Sequence, residues 1–243
     1  MPDFADSVWT RPPRTRGDQP ALTREQIVRT AIEMLDAEGA AGLSMRRLGT
    51  RLGSGATSLY WHVAHKDELM ELAVDEVFSE IYVPDPADTG WRMGASVLAN
   101  GMRAALMRHP WVIGQLGLRP TIGPNAMRMG NRMVALFSAA GFTGLEVSHA
   151  AAVLQAHAVG SATTESAVAA SLQRSGVDPR DMARQLEPFL ERVAGEYPDY
   201  DKWRRETDEV NQDPYAMFQA GFAFGLERIL DGLELWLNRP AAE

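Results

Sequence analysis

The 243-residue chain contains no cysteine, which excludes a disulfide framework, thiolate catalysis and cysteine metal ligands. It also lacks any apolar run of about 18 residues, the length a membrane span requires. Its first twenty residues, MPDFADSVWTRPPRTRGDQP, are polar and have no apolar signal-peptide core. A cytoplasmic protein without membrane association is expected. Alternating β-branched runs are scarce, so strands are not expected. Also missing are HExxH, GxSxG, a phosphate-binding P-loop and any metal-spaced Cys/His cluster. His149 and His157 lie eight apart, which is not the spacing of a ligand pair on one helix. The paired carboxylates Asp67-Glu68 and Asp75-Glu76 read as solvated helix faces. Catalysis, metal ions and cofactors are therefore not expected.

What is present is an ordinary globular composition, 45% hydrophobic and 23% charged. The formal net charge of −8 argues against a nucleic-acid partner until its distribution is considered. Residues 1–66 carry nine Lys/Arg against seven Asp/Glu, whereas residues 67–243 carry fifteen against twenty-five. A slightly basic end on an acidic body implies two jobs on one chain.

The helical pattern begins at Thr23, a candidate N-cap, after a Pro-rich segment with no periodicity. Residues 1–20 read as a disordered basic arm. Its Arg11, Arg14 and Arg16 belong either to a solvated tail or to an arm that touches DNA. Ile27, Val28, Ala31 and Leu35 repeat at helical spacing up to Gly39. Ser44 opens a second helix, with Leu48 and Leu52 inward and Arg46, Arg47 and Arg51 outward. After Gly53-Ser54-Gly55 a short third helix carries residues 57–62. A fourth runs from His65–Asp67 to Ile81, where Pro84 and Pro86 end it. Further helices are expected at Trp91–Arg108, Pro124–Ala140, Leu145–Leu172, Pro179–Gly195, Tyr200–Val210 and Pro214–Asn238. The fold class is all-α, with a helix-turn-helix domain over 21–66 and a larger helical domain over 67–243.

Two short helices joined by a Gly-permitted turn have the proportions of a helix-turn-helix. Its second helix enters a major groove about 12 Å wide. The short polar end Ala56-Thr57-Ser58 suits base edges, and Leu59 and Val63 can bury behind it. Tyr60 and His62 can reach phosphate oxygens. Lys66 stands at a helix N-terminus where ammonium and amides grip one phosphate together, and Arg46 is long enough for a guanine edge. Geometry alone leaves an ordinary bundle connection open.

The segment LTREQIVRTAIEMLDAEGAAGLSMRRLGTRLGSGATSLYWHVAHKDELMELAVDEVF resembles the DNA-binding domain of the TetR family of repressors, above all in Leu59-Tyr60-Trp61-His62-Val63 followed by Lys66 and Leu69. Fainter similarity runs through Leu116-Gly117 with Arg119-Pro120, Gly141-Phe142 and Phe224–Glu227. The resemblance implies a homodimer on a pseudo-palindromic double-stranded DNA operator, released by a small-molecule effector. It implies that Arg46 and the Ala56–Ser58 face read bases. It further implies that Ser44, Thr57, Tyr60, Trp61, His62 and Lys66 hold phosphates or shape the recognition helix, with Trp61 alternatively a packing residue. Ala56 and Thr57 depart from the tetracycline repressor, so a different operator is expected. A regulator without an effector, or a helical enzyme, are the competing readings.

In the larger domain the last helix repeats Tyr215, Phe218, Phe222, Leu226, Ile229, Leu233 and Trp236 as a near-heptad seam. It serves either as an intramolecular core stripe or, as the resemblance implies, as a dimer interface with the Ala-rich Leu145–Ala170 segment. The interface residues expected are Val153, Gly160, Phe218, Phe222, Leu226, Ile229 and Leu233. Effector contacts are expected from Asn100, Met102, Trp111, Gln115, Asn131, Phe137, His157 and Thr164, which set polar groups among apolar ones. Gln115 falls where the tetracycline branch carries a histidine, and Thr164 where it carries a glutamate region. An apolar or mixed organic molecule is therefore expected rather than a magnesium–drug chelate.

Overall fold

The computed structural model describes Trp9, residues 22–207 and residues 214–239. The expected arm over 1–20 lies outside the described residues, apart from Trp9. The described residues form α1 (Arg24–Gly42), α2 (Met45–Arg51), α3 (Ala56–Tyr60), α4 (Lys66–Phe78), α5 (Pro86–Thr89), α6 (Trp91–Arg108), a 3-10 helix (Pro110–Gln115), α7 (Pro124–Ala140), α8 (Leu145–Ser175), α9 (Pro179–Val193), α10 (Pro198–Thr207) and α11 (Pro214–Leu237), with no strand among them. The all-α expectation holds.

Local chemistry explains most boundaries. Thr23 and Gln26 form a reciprocal capping box at the start of α1, each side chain accepting the other's backbone N–H. Gly39, expected as a stop, takes a positive φ of 68° and kinks α1, which resumes to Gly42. Ser44 Oγ accepts the Arg47 N–H and caps α2. At the far end Gly53 has φ 64°; its N–H donates to Thr50 and that of Ser54 to Gly49, the paired bonds of a Schellman turn. The turn between α2 and α3 is thus built by the glycine the spacing singled out. The fourth helix is shorter than expected. Beyond Phe78 the N–H groups of Ser79, Glu80 and Ile81 reach back only three residues, so the chain tightens before the prolines and turns Ile81 and Val83 inward.

The core is layered around α6 and α8. Ala95, Leu98, Ala99, Met102 and Leu106 of α6 face Ala150, Leu154, Ala158 and Ala162 of α8, all buried. Small residues along α8 allow α6 and α11 to approach it closely; these are the most extensive helix pairings. Each large side chain buried here contributes about 1.5–3 kcal/mol. Among them lies a charged knot: Arg103 donates twice to Glu165 Oε2, at 3.1 and 2.5 Å, and once to Gln219 Oε1 at 2.8 Å. Its guanidinium also sits 4.8 Å from the centre of the Phe222 ring. Both charges are buried, so the pair fixes the register of α6, α8 and α11 more than it adds stability. At the surface Arg92 joins α6 to Glu227, Asp231 and Glu234 of α11. The Arg92 hydrogen bond holds the Asp231 carboxyl below its ordinary range.

The α6–α7 contact yields a sign-reversing prediction. A Cβ on Gly94 would run into Cδ1 of fully buried Leu136. Gly94→Ala should therefore destabilise the protein by about 1 kcal/mol, because overpacking costs about 1–3 kcal/mol against a helix-propensity gain of about 1 kcal/mol. In a Leu136→Ala background the same substitution should become stabilising. Urea unfolding of the two pairs checks both signs.

Candidate nucleic-acid interface and ligand cavity

The residues singled out for DNA lie at the N-terminal end of α2, on α3, in the turn that follows and at the start of α4. Arg46 is exposed and its side chain has no partner among the described residues, whereas its neighbour Arg47, also exposed, is paired within the head. Arg47 donates to Gly42 O and to Glu38 Oε1, each at 2.6 Å, and this bond holds the Glu38 carboxyl below its ordinary range. Arg51 pairs with Glu33. All three α2 arginines are exposed, and Arg46 is the one whose side chain has no partner among the described residues. Ser58 and Tyr60 are exposed, and Trp61 is 76% exposed. The packing alternative for Trp61 does not apply in this structure. Leu59 and Val63, both fully buried, anchor α3 from behind. Ala56 and Thr57 lie at the start of α3; their side chains are outside the described residues.

Of the expected phosphate-holding groups, Ser44 and Lys66 are engaged within the head and His62 is turned inward. Ser44 caps α2. His62 turns Nε2 into the interior, where it is buried without a partner among the described residues. Lys66 Nζ donates to Ala40 O at 2.9 Å, tying the start of α4 to the segment beyond the α1 kink. Its remaining N–H groups stay available.

Inside the larger domain a cavity of about 600 Å³ lies between α4, α6, α7 and α8. Phe78, Ile81, Met102, Leu106, Met129, Met133, Val134 and Val159 line it, with Thr121, Asn131 and Gln155 as the polar groups and no charged side chain. It opens beside Met127 and Val134, both more than half exposed. Of the expected effector contacts, Met102 and Asn131 line this cavity. Gln115 lines a smaller outer pocket next to it. The other five are elsewhere, because each has a local partner. The Trp111 indole is buried and donates to Asp36 of α1 at 2.7 Å. Phe137 is fully buried edge-on against Phe142. His157 stacks on Phe222 with Nε2 2.9 Å from the Phe222 carbonyl. Asn100 and Thr164 are exposed and bond back to their own helices, at Ser96 O and Gly160 O.

The α11 seam is also corrected. Phe222 and Leu226 are buried within the chain, Ile229 and Leu233 pack partly against its core, and Phe218 is half-buried. The seam is the stripe by which α11 seats on α8 and α6. The outward stripe is rotated from it and carries Met217, Gly221, Phe224 and Leu235, with Phe224 67% and Leu235 75% exposed. On α8, Val153 and Gly160 are exposed as expected of a free face. They belong to a row of small residues with Ala156 and Thr163.

Sequence reasoning missed the groups that join head and cavity. Asp75, expected on a solvated face, is buried. Its two oxygens accept the backbone N–H groups of Asn125 and Ala126 at 3.2 and 2.9 Å, so it caps α7 from the side of α4. Arg119 donates to Glu71 and Asp67 of α4 at 2.8 and 2.9 Å. The 115–126 segment, whose Leu116 and Thr121 wall the cavity, is thereby clipped to the helix that Lys66 begins. The one available signal was the acidic repeat Asp67, Glu71, Asp75 at four-residue spacing.

Residues 83–237 match the family model described as the tetracyclin repressor-like, C-terminal domain. The HTH-type transcriptional repressor DrrR1 of Streptomyces coeruleorubidus is 35% identical over 232 residues, covering 94% of this chain and 83% of the relative. The tetracycline repressor protein class C of Escherichia coli is 28% identical over 160 residues, covering 65% of this chain and 72% of that protein. In structure, ActR of Streptomyces coelicolor in complex with actinorhodin superposes with a TM-score of 0.72 at 28% identity, over 90% of this chain and 100% of that one.

Removing the Asp75 carboxylate leaves two N–H groups of α7 without acceptors, each costing about 1–3 kcal/mol when buried. Asp75→Ala should lower stability by about 3 kcal/mol, on that scale, and Asp75→Asn, which keeps one acceptor oxygen, by less. Chemical denaturation followed by circular dichroism checks the order.

Proposed function

The chain belongs to the TetR family of transcriptional regulators, and on that footing we propose that it is a homodimeric repressor released from a pseudo-palindromic operator by a small organic effector. Family members are regulators rather than enzymes, which disposes of the catalytic alternative. The observation that carries the proposal is α4. It starts at Lys66, directly behind the recognition helix, and its Asp67, Glu71 and Asp75 clip the segment that walls the cavity. A molecule that shifts Leu116 or Thr121 pulls on charge-assisted bonds to α4 and so tilts the head, a rigid-body route between the two sites. The head comprises residues 21–66, and the remainder carries effector binding and dimerisation.

In this reading Arg46 contacts a base edge, Ala56, Thr57 and Ser58 form the reading face, and Tyr60 and Trp61 meet the backbone. Ser44 and His62 shape the head, and Lys66 joins α1 to α4 while presenting charge to a phosphate. Two heads must stand about 34–36 Å apart to read successive major grooves. A dimer supplies that spacing, and the outward stripes of α8 and α11 are the faces suited to it: small on one, apolar on the other. The effector is uncharged and largely apolar, with a few hydrogen-bonding groups. Four methionines adapt to shape, Thr121, Asn131 and Gln155 orient it, and the relative ActR holds actinorhodin. The protein acts in the cytoplasm, where its operator is.

Footprinting on the DNA flanking the chain's own gene tests the reading: a protected pseudo-palindrome is expected, and its absence there and in selected random DNA overturns it. On that operator Arg46→Ala should cost about 1–3 kcal/mol and relax specificity at one base pair, while Lys66→Ala weakens all sequences alike and lowers the salt slope. Equal losses for Arg46→Ala on specific and random DNA would reassign it to a phosphate. Phe224→Glu should yield a monomer in sedimentation and lose operator binding without losing helicity; a dimer with unchanged affinity refutes the interface.

A further inference from the structure

His109 joins α6 to the 3-10 helix and is only 4% exposed, yet both of its ring nitrogens face carboxylates. Nδ1 lies 2.7 Å from Asp36 Oδ1 on α1. Nε2 lies 3.1 Å from Glu80 Oε1, two residues beyond the end of α4. Each carboxylate has a second donor: Trp111 Nε1 reaches Asp36 Oδ1 at 2.7 Å, and Arg108, at the end of α6, reaches Glu80 Oε2. The charged groups that meet the ring are therefore Asp36 from α1, Glu80 from beyond α4 and, through Glu80, Arg108 from α6. The 3-10 helix contributes the neutral indole.

A neutral imidazole has one N–H to donate and one lone pair. Between two carboxylates, that lone pair would be left facing an oxygen that can only accept. The doubly protonated ring donates at both ends. With it the charges of the cluster also cancel, Asp36 and Glu80 against His109 and Arg108. A buried charge is tolerated where it is paired and hydrogen-bonded, and both conditions are met here.

We propose that His109 is a positioning residue, an imidazolium that fastens the head to the body and sets, by one proton, how firmly α1 is held. Its place in the fold suits this. Asp36 belongs to the head, whereas Glu80 directly precedes Ile81 and Arg108 follows Leu106 by two residues. Ile81 and Leu106 both line the inner cavity. The bridge thus runs from head to cavity wall without passing through Asp75, Arg119 or α7. Loss of one proton turns a hydrogen bond into a lone pair set against a carboxylate, and α1 loosens. A fastened head is pre-organised, with less freedom left to lose on DNA, so operator affinity falls when the bridge opens. This last step rests on the operator reading above.

The test measures operator binding by the full chain from about pH 5 to 8, the range over which histidine changes charge. With rising pH, wild-type affinity should fall by about tenfold more than that of His109→Gln or Asp36→Asn, a change within the 5–150-fold typical of coupled sites. Asp36→Asn keeps the acceptor's shape and serves where His109→Gln does not fold. The other histidines are common to all three proteins, so the difference isolates His109. Nitrogen-15 NMR of the ring needs no DNA. Both His109 nitrogens should carry protons in the wild type at a pH where one has lost its proton in the Asp36→Asn, Glu80→Gln protein. Parallel affinity profiles, or a His109 ring that titrates alike in both proteins, would overturn the proposal. Absence of any operator binding would fail the operator reading instead, and the ring spectra then decide the bridge by themselves.

Discussion

Asp75 commits both carboxylate oxygens to the first turn of α7 while sitting on α4, and much of the molecule's organisation follows from that link. A helix start leaves N–H groups that need acceptors and a partial positive charge that favours an anion. Here the acceptor comes from another helix instead of from the residue before the helix, whose place is taken by Gly123. The two helices therefore cannot separate without exposing a buried charge and unsatisfied donors together. One turn earlier on α4, Glu71 and Asp67 hold Arg119 in the same manner. The 115–126 segment is fastened along one side of α4, and the inner cavity and the smaller outer pocket are the spaces on its two faces.

This arrangement makes α4 a shared element of head and body. Its N-terminal end is bound to the head by Lys66 on Ala40 and by the His65 imidazole, which accepts the Glu68 N–H. A second tie runs from α1 to the 3-10 helix, where Trp111 and His109 both meet Asp36. The head is thus held at two points whose other ends belong to the segment flanking the cavity. A displacement of about an ångström there has few ways to be absorbed, because close-packed interiors shift between discrete arrangements rather than deform smoothly.

The repetitive features were readable in advance. Helices α6 and α7 begin and end where periodicity, Pro124 and Gly141 place them, and the helix-turn-helix was visible in Ser44, Gly53 and the buried pair Leu59 and Val63. Caps and turns are local, so a few adjacent residues carry the whole cause. The effector contacts were less legible. Trp111, Phe137 and His157 have the right chemistry for a ligand, but each is already engaged: Trp111 by Asp36 and His157 by Phe222, both distant in the chain, and Phe137 by nearby Phe142. The α11 seam misled for a related reason. Periodicity identifies an apolar stripe but not what lies against it, and here the stripe with the better repeat faces the chain's own α8.

By itself, then, the amino-acid sequence determined the long helices, the turn between α2 and α3 and the family, because those depend on neighbours a few residues apart. Tertiary structure alone decided which polar residues line a cavity and which are already partnered. It also turned Asp75 from a solvated carboxylate into a helix cap, and brought Trp9 onto Gly123. Those outcomes rest on the meeting of groups tens to a hundred residues apart. Whether a buried polar atom is free for a ligand depends on the acceptor or donor that folding sets against it.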